Sequence, residues 1–157
     1  MPPQPFFDLA SLDQSRVIVD KTAIYKVNPH AYEFQLLDGI FFIDTASNVW
    51  AGYHDCHKDE YWVRGHIPGR PLMPGVLMIE TAAQLVGYVE TSRNPDKGFL
   101  GFGGVTDVKF RGQVVPGDRL ILVAKGVESR PRRSVAAVQG FVKDQLVFEG
   151  LITGMWL

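Results

Sequence analysis

Met73-Pro-Gly-Val-Leu-Met-Ile-Glu-Thr-Ala-Ala-Gln-Leu-Val-Gly-Tyr-Val-Glu-Thr91 is the stretch on which the fold turns. Its spacing predicts a helix over 73–91, opened by Pro74, whose missing N–H is one that a first turn leaves unpaired anyway. Apolar residues at 76, 77, 79, 82, 83, 85, 86 and 89 run round almost the whole cylinder, so the helix is expected to be buried. One charged group interrupts its middle. Glu80 shares a stripe with Val76, Ala83 and Gly87 and should face packed apolar side chains or a cavity. A carboxyl group in such surroundings is costly as an anion, which predicts an upward-shifted pKa and a proton held near neutral pH.

Just before the helix, Arg64-Gly-His-Ile-Pro-Gly-Arg-Pro-Leu-Met-Pro-Gly75 forms a proline- and glycine-rich loop with His66 in it. A loop imidazole can take a proton when neutral, which complements a carboxyl group that carries one. The helix start at Pro74-Gly75-Val76 offers free backbone N–H groups and the positive end of the dipole, suited to polarising a carbonyl such as that of a thioester. Glycine at 75 would let that carbonyl approach the backbone closely. Taken singly, a loop histidine is structural in most proteins and a helix glutamate ordinarily faces water. Their joint placement is what points to an acid/base pair.

Outward from this centre the chain reads as strands. Tyr32 to Trp50 is rich in aromatic and β-branched residues, punctuated by Asp38-Gly39 and Ala46-Ser-Asn48, and predicts two strands with turns. Ala51 to Val63 is expected to continue as a partly exposed strand or strand pair. Beyond Asn94-Pro95-Asp96, four β-rich runs follow at about 98–110, 118–128, 133–143 and 145–156, separated by turn residues. Residues 1–27 are proline-rich at first and predict an irregular arm with a short extended piece and little chemistry. The pattern is α+β: a single domain over 1–157 in which an antiparallel sheet wraps one long central helix.

Composition limits the function classes. Sixteen Lys and Arg against seventeen Asp and Glu give a formal net charge of −1, so bulk charge gives no reason to expect a nucleic acid partner. The lone cysteine, Cys56, excludes an intramolecular disulfide and is compatible with a reducing compartment. No run reaches the ~20 apolar residues that cross a bilayer, and the start lacks a signal pattern, so the expectation is a cytoplasmic protein. His54, Cys56 and His57 fit no familiar zinc spacing, and no metal site is expected. Lys109, Arg111, Arg119, Arg130, Arg132 and Arg133 concentrate positive charge locally; they are either solvated charges or a docking patch for an acidic partner.

At these residues the sequence resembles the 3-hydroxyacyl-acyl carrier protein dehydratases of type II fatty-acid synthesis, a hotdog-fold family. The matching stretches are Asn28-Pro-His-Ala-Tyr-Glu-Phe-Gln-Leu-Leu-Asp38, Gly65 through Gln84, and Val108-Lys-Phe-Arg-Gly-Gln-Val-Val-Pro-Gly-Asp118. The resemblance implies that His66 removes the α-proton, that Glu80 protonates the departing hydroxyl, and that Gly75 donates its N–H to the thioester carbonyl. Ile67, Pro74 and Val76 would flank the substrate. It further implies a homodimer whose two sites each take the histidine from one subunit and the glutamate from the other, with dimers able to form a trimer of dimers. The substrate would arrive on the phosphopantetheine of an acyl carrier protein, or as a coenzyme A thioester, with no resident cofactor. The docking surface would use Lys109, Arg111, Arg132 and Arg133. A cis bond at Ile67–Pro68 is a further implication. The chain departs from the family pattern at Ile67, Trp62-Val63-Arg64, Ala31, Glu33 and Thr106, positions that flank the expected acyl tunnel and carrier surface.

Three rival readings stand beside this one. A hotdog thioesterase would use the helix carboxylate to activate water and would release free thiol. A dehydratase that also isomerises the double bond usually carries aspartate where this chain has Glu80. A non-catalytic acyl-binding subunit would bind thioesters without turnover.

Overall fold

The computed structural model describes residues 3–157; Met1 and Pro2, the start of the expected arm, lie outside the described residues. Seven strands form one antiparallel sheet: β1 (Val19–Asp20), β2 (Gly39–Asp44), β3 (Val49–Asp55), β4 (Leu100–Phe110), β5 (Arg119–Arg130), β6 (Arg133–Val142) and β7 (Gln145–Trp156), in the order β1-β2-β3-β5-β6-β7-β4. The long helix α2 (Gly75–Arg93) lies across one face, and a short helix α1 (Lys21–Val27) packs against it. This is the expected hotdog arrangement.

Strand periodicity sorts the core into two layers. On β5, Leu120, Leu122 and Ala124 point to the helix side and join Leu77, Met78, Ala82, Leu85 and Val89 of α2, with Trp50 and Phe148 filling the space between. Ile121 and Val123 point the other way, with Phe41, Ala51 and Phe141, and are covered by Phe6, Phe7, Leu9 and Leu12 of the N-terminal segment. The arm read as irregular is therefore a lid on the outer face of the sheet. It is pinned at the buried Gln139, whose Oε1 accepts from Phe6 N at 3.0 Å and whose Nε2 donates to Gln4 O at 3.0 Å.

The structure corrects the reading elsewhere. Tyr32–Phe34 is a single 3₁₀ turn, and β2 begins only at Gly39. The strand expected to run to Val63 stops at Asp55, and His54 near its end and Cys56 just beyond it are buried instead of partly exposed. Helix α1 was not expected. Asp20 caps it, its side chain accepting from Ala23 N at 2.8 Å, but two turns are too short for a helical period to stand out. The four later strands lie close to where turn residues placed them. Lys143 and Asp144, both at positive φ, make the tight hairpin between β6 and β7.

Candidate active site

Glu80 sits in the second turn of α2, on the side the rest of the chain covers least. Val76, on the same stripe, is 68% exposed, so α2 keeps an uncovered face in the single chain, against the expectation of burial all round. Below Val76 the stripe lines a cavity of about 400 Å³ between α2 and strands β4 and β7, with Val27, His30, Ala83, Phe99, Phe102 and Ile152 in its wall.

The carboxyl group is held at one oxygen. Gln84, one turn on, donates from Nε2 to Glu80 Oε1 at 3.0 Å. His30 brings Nε2 to 3.1 Å of the same Oε1. The Gln84 amide is oriented by its other bonds: Oε1 accepts from Tyr25 Oη at 2.7 Å and from the N–H groups of Leu36 and Leu37, while Nε2 also donates to Phe34 O at 2.7 Å. Asn28 Nδ2 donates to the Gln84 carbonyl at 2.9 Å, which fastens the segment carrying His30 to the helix.

These partners overturn the expected pKa. Burial pushes the Glu80 carboxyl up, but the hydrogen bond to His30, the one from Gln84 and the His30 charge outweigh it, so the net direction is down. Burial was legible in the sequence; a donor some fifty residues upstream was not. The signal that could have found His30 is its place in Asn28-Pro-His30, within a stretch already matched to the family.

His66 stands on the exposed turn between β3 and α2. The turn is anchored at both ends by buried residues: Trp62, whose carbonyl accepts from His66 N at 2.8 Å, and Met73, whose N–H donates to Val114 O at 2.8 Å. His66 Nδ1 lies 2.8 Å from Leu72 O. A carbonyl can only accept, so Nδ1 carries the proton and the Nε2 lone pair is left free to act as a base. The cis peptide bond of this turn precedes Ile67, not Pro68, and Ile67 and Arg70 exchange backbone hydrogen bonds.

Gly75 opens α2 behind Pro74, which caps it without a side-chain bond, so the first N–H groups are unclaimed by a cap. A Cβ at 75 would come within 2.6 Å of the Phe110 ring, which gives the glycine a packing reason beside the proposed approach of substrate. Ile67 and Val76 are both exposed, and neither lines the cavity. Within one chain His66 and Glu80 are not brought together: each ring or carboxyl group has its own partners, and His66 takes no part in the cavity wall.

The basic residues do not form one patch. Lys109 pairs in register with Glu149 of β7 and Arg133 with Met155, six residues further along that strand, or about 20 Å. Arg111 is bound to Glu149 at 2.7 Å, Arg119 to Asp55 at 2.6 Å, and Arg130 and Arg133 both to Glu128. His54, raised above as a metal candidate, is enclosed by carboxylates: Nδ1 is 3.3 Å from Asp38 Oδ2 and Nε2 2.8 Å from Glu60 Oε1. Among the described residues no group of three or more His, Cys, Asp or Glu has a metal-holding geometry, and no helix is long and apolar enough to cross a membrane.

A seven-stranded antiparallel sheet wrapped on one long helix, with a carboxyl group in a largely apolar cavity along that helix, defines the class as hotdog proteins. More narrowly, the FabA-like domain family matches residues 28–150, and the chain belongs to that family. The 3-hydroxyacyl-[acyl-carrier-protein] dehydratase FabZ of Lactococcus lactis subsp. cremoris (strain MG1363) is 36% identical over 140 residues, covering 88% of this chain and 96% of that protein. The enzyme of the same name from Streptococcus gordonii is 36% identical over 137 residues, covering 87% and 96%. Among solved structures, the dehydratase heterocomplex ApeI:P from Xenorhabdus doucetiae superposes with a TM-score of 0.71 at 14% identity over 85% of this chain and 90% of that one. AziG of S. sahachiroi gives 0.61 at 16% identity over 77% and 90%. The last two likenesses speak to the fold alone.

Proposed function

We propose that the chain eliminates water from 3-hydroxyacyl thioesters carried on an acyl carrier protein, giving trans-2-enoyl thioesters, as a cytoplasmic homodimer with sites shared between protomers. The observation that carries this reading is the Glu80 carboxyl, set in an apolar cavity with Oε1 occupied by two donors and Oε2 left for a substrate.

In the reaction, Nε2 of His66 takes the proton from Cα, the C–H electron pair becomes the Cα=Cβ π bond, and the Cβ–O bond breaks as Glu80, reacting in the protonated form that its His30 and Gln84 partners disfavour in the free chain, gives its proton to the hydroxyl. Water leaves, and no atom changes hands with a redox partner, so the chemistry calls for no resident cofactor beyond the phosphopantetheine arm that brings the substrate. The N–H groups at Gly75 stabilise charge developing on the thioester oxygen. The acyl chain lies along α2 in the cavity, past Ala83 and Gly87, where small side chains leave room.

Strand β4 supports the dimer. It is the edge of the sheet, eleven residues long, and exposes Phe102, Val105 and Phe110, an apolar edge of the kind that proteins cover or pair. Pairing two β4 strands about a twofold axis would carry the His66 turn of one protomer toward Glu80 of the other. Phe110 packs at Gly75, so Lys109 and Arg111 are the basic residues near the site entrance and the better choice for carrier docking. Arg132 and Arg133 belong to the far end of the sheet.

The test supplies purified protein with 3-hydroxybutyryl and crotonyl thioesters on both carrier protein and coenzyme A and follows enoyl absorbance. Interconversion, with a preference for the carrier protein that falls in Lys109→Glu, is the expected result. Release of free thiol would instead favour a thioesterase, and tight binding without turnover an acyl-binding subunit.

A further inference from the structure

The geometry points to His30 as a positioning residue that, with Gln84, claims Oε1 of Glu80 and so makes Oε2 the oxygen that delivers the proton. This deepens the dehydratase reading and rests on it. A carboxylic acid can carry its proton on either oxygen, and only one of them can face the substrate hydroxyl. Donors aimed at one oxygen favour the tautomer in which that oxygen is the carbonyl, because an O–H there would meet N–H groups head-on. Gln84 Nε2 at 3.0 Å and His30 Nε2 at 3.1 Å both converge on Oε1.

The His30 ring is prepared for this. Its Nδ1 is buried with no partner among the described residues, so the ring proton is better placed on Nε2, where the carboxyl oxygen accepts it. Tyr25 closes edge-on against the ring, with centroids 6.4 Å apart, and the His30 carbonyl accepts from Gln35 Nε2 at 3.2 Å. The two anchors come from different parts of the fold: Gln84 from the helix itself, His30 from the segment after α1. Both reach the same carboxyl oxygen.

The surroundings leave the pair electrostatically isolated. Of the described residues lining the cavity, His30 and Glu80 alone are titratable; β4 and β7 contribute Phe, Leu, Gly, Ile and Thr. From α1, Tyr25 faces the same network through Gln84, and burial raises its hydroxyl well above the ordinary value. From beyond it, Asp38 and Glu80 act on that tyrosine through their charges, in the same direction.

His30→Phe keeps a ring and removes the donor, and His30→Gln keeps a donor. With 3-hydroxybutyryl thioester, His30→Phe is expected to lower kcat by about 10- to 100-fold while KM stays within about twofold, and His30→Gln to recover most of that loss. Loss of a donor to the carboxylate also moves the alkaline limb of the kcat profile upward in His30→Phe. Independently of turnover, infrared difference spectra against Glu80→Gln should show the Glu80 carboxyl titrating at higher pH in His30→Phe than in the unaltered chain. The inference is overturned if the carboxyl titration is unmoved, or if both variants lose kcat equally with the pH profile unchanged, since that would mark a packing role. An unaltered chain that shows the titration coupling but no dehydration would sink the dehydratase reading and leave the His30–Glu80 coupling standing.

Discussion

Two opposed effects act on the carboxyl of Glu80, and their outcome depends on residues that sequence order hides. Helical spacing placed it among apolar neighbours, which was correct as far as the cavity goes, but solvation was only one influence on the group. Glu80→Gln keeps the shape and removes the proton, so turnover should fall by about 10²- to 10⁴-fold with thermal stability held, as should His66→Ala. A second histidine illustrates the same lesson. The segment around His54, Cys56 and His57 resolves into a buried ion cluster in which His54 lies between Asp38 and Glu60. Burial alone would push His54 down; Asp38 and then Glu60 outweigh it and raise it to about 9, while both carboxyls, despite burial, are held below their ordinary values by that imidazole and nearby donors. The stability tied to His54 is therefore full below its ordinary value near 6.5 and lost as pH rises through about 9, and that tied to the two carboxylates is present above about pH 4 and lost on acidification. Chemical denaturation across pH should show this plateau in the native chain. His54→Ala, which strands two carboxylates, should cost about 3–5 kcal/mol at neutral pH.

Elements were legible where a long period or a strong turn signal existed. Helix α2 and strands β4 to β7 are bounded by Pro74, Asn94-Pro95, Pro116-Gly117 and the Lys143-Asp144 hairpin, so local chemistry settled their ends. The first half of the chain was harder. Tyr32–Phe34 has the aromatic character of a strand yet turns, because Gln84 reaches across to its backbone from the helix, an effect of tertiary contact with no local trace. The arm likewise gave no sign that the sheet's outer face needed covering, although Leu120-Ile-Leu-Val-Ala124 is apolar at every position and so must bury both faces. Packing between elements sets two expectations. Leu85, fully buried at the centre of α2, should cost about 2–5 kcal/mol as Leu85→Ala. A Cβ at Gly140 would lie 2.3 Å from the ring of Phe148, itself without exposure, so Gly140→Ala should destabilise by about 1–3 kcal/mol. Thermal melts of both variants measure these costs.

For the whole molecule the question is how His66 and Glu80 reach one substrate. Within a chain no hydrogen bond or shared cavity joins them, each having its own neighbours, and the apolar side chains left exposed include Ile67, Val76 and, along β4, Phe102, Val105 and Phe110, which the proposed dimer would have to cover. Charge on that edge should separate the protomers: Val105→Lys is expected to shift sedimentation to the monomer and to abolish turnover with it, while the isolated chain stays folded. The proposed arrangement across a twofold axis has a sharper consequence. A heterodimer of one His66→Ala chain and one Glu80→Gln chain, co-expressed and purified by two different tags, contains one site with both defects and one with neither. Its dehydration of 3-hydroxybutyryl thioester should reach about half the rate of the unaltered dimer, although each variant alone is inactive. A heterodimer no more active than its parents would contradict the shared site.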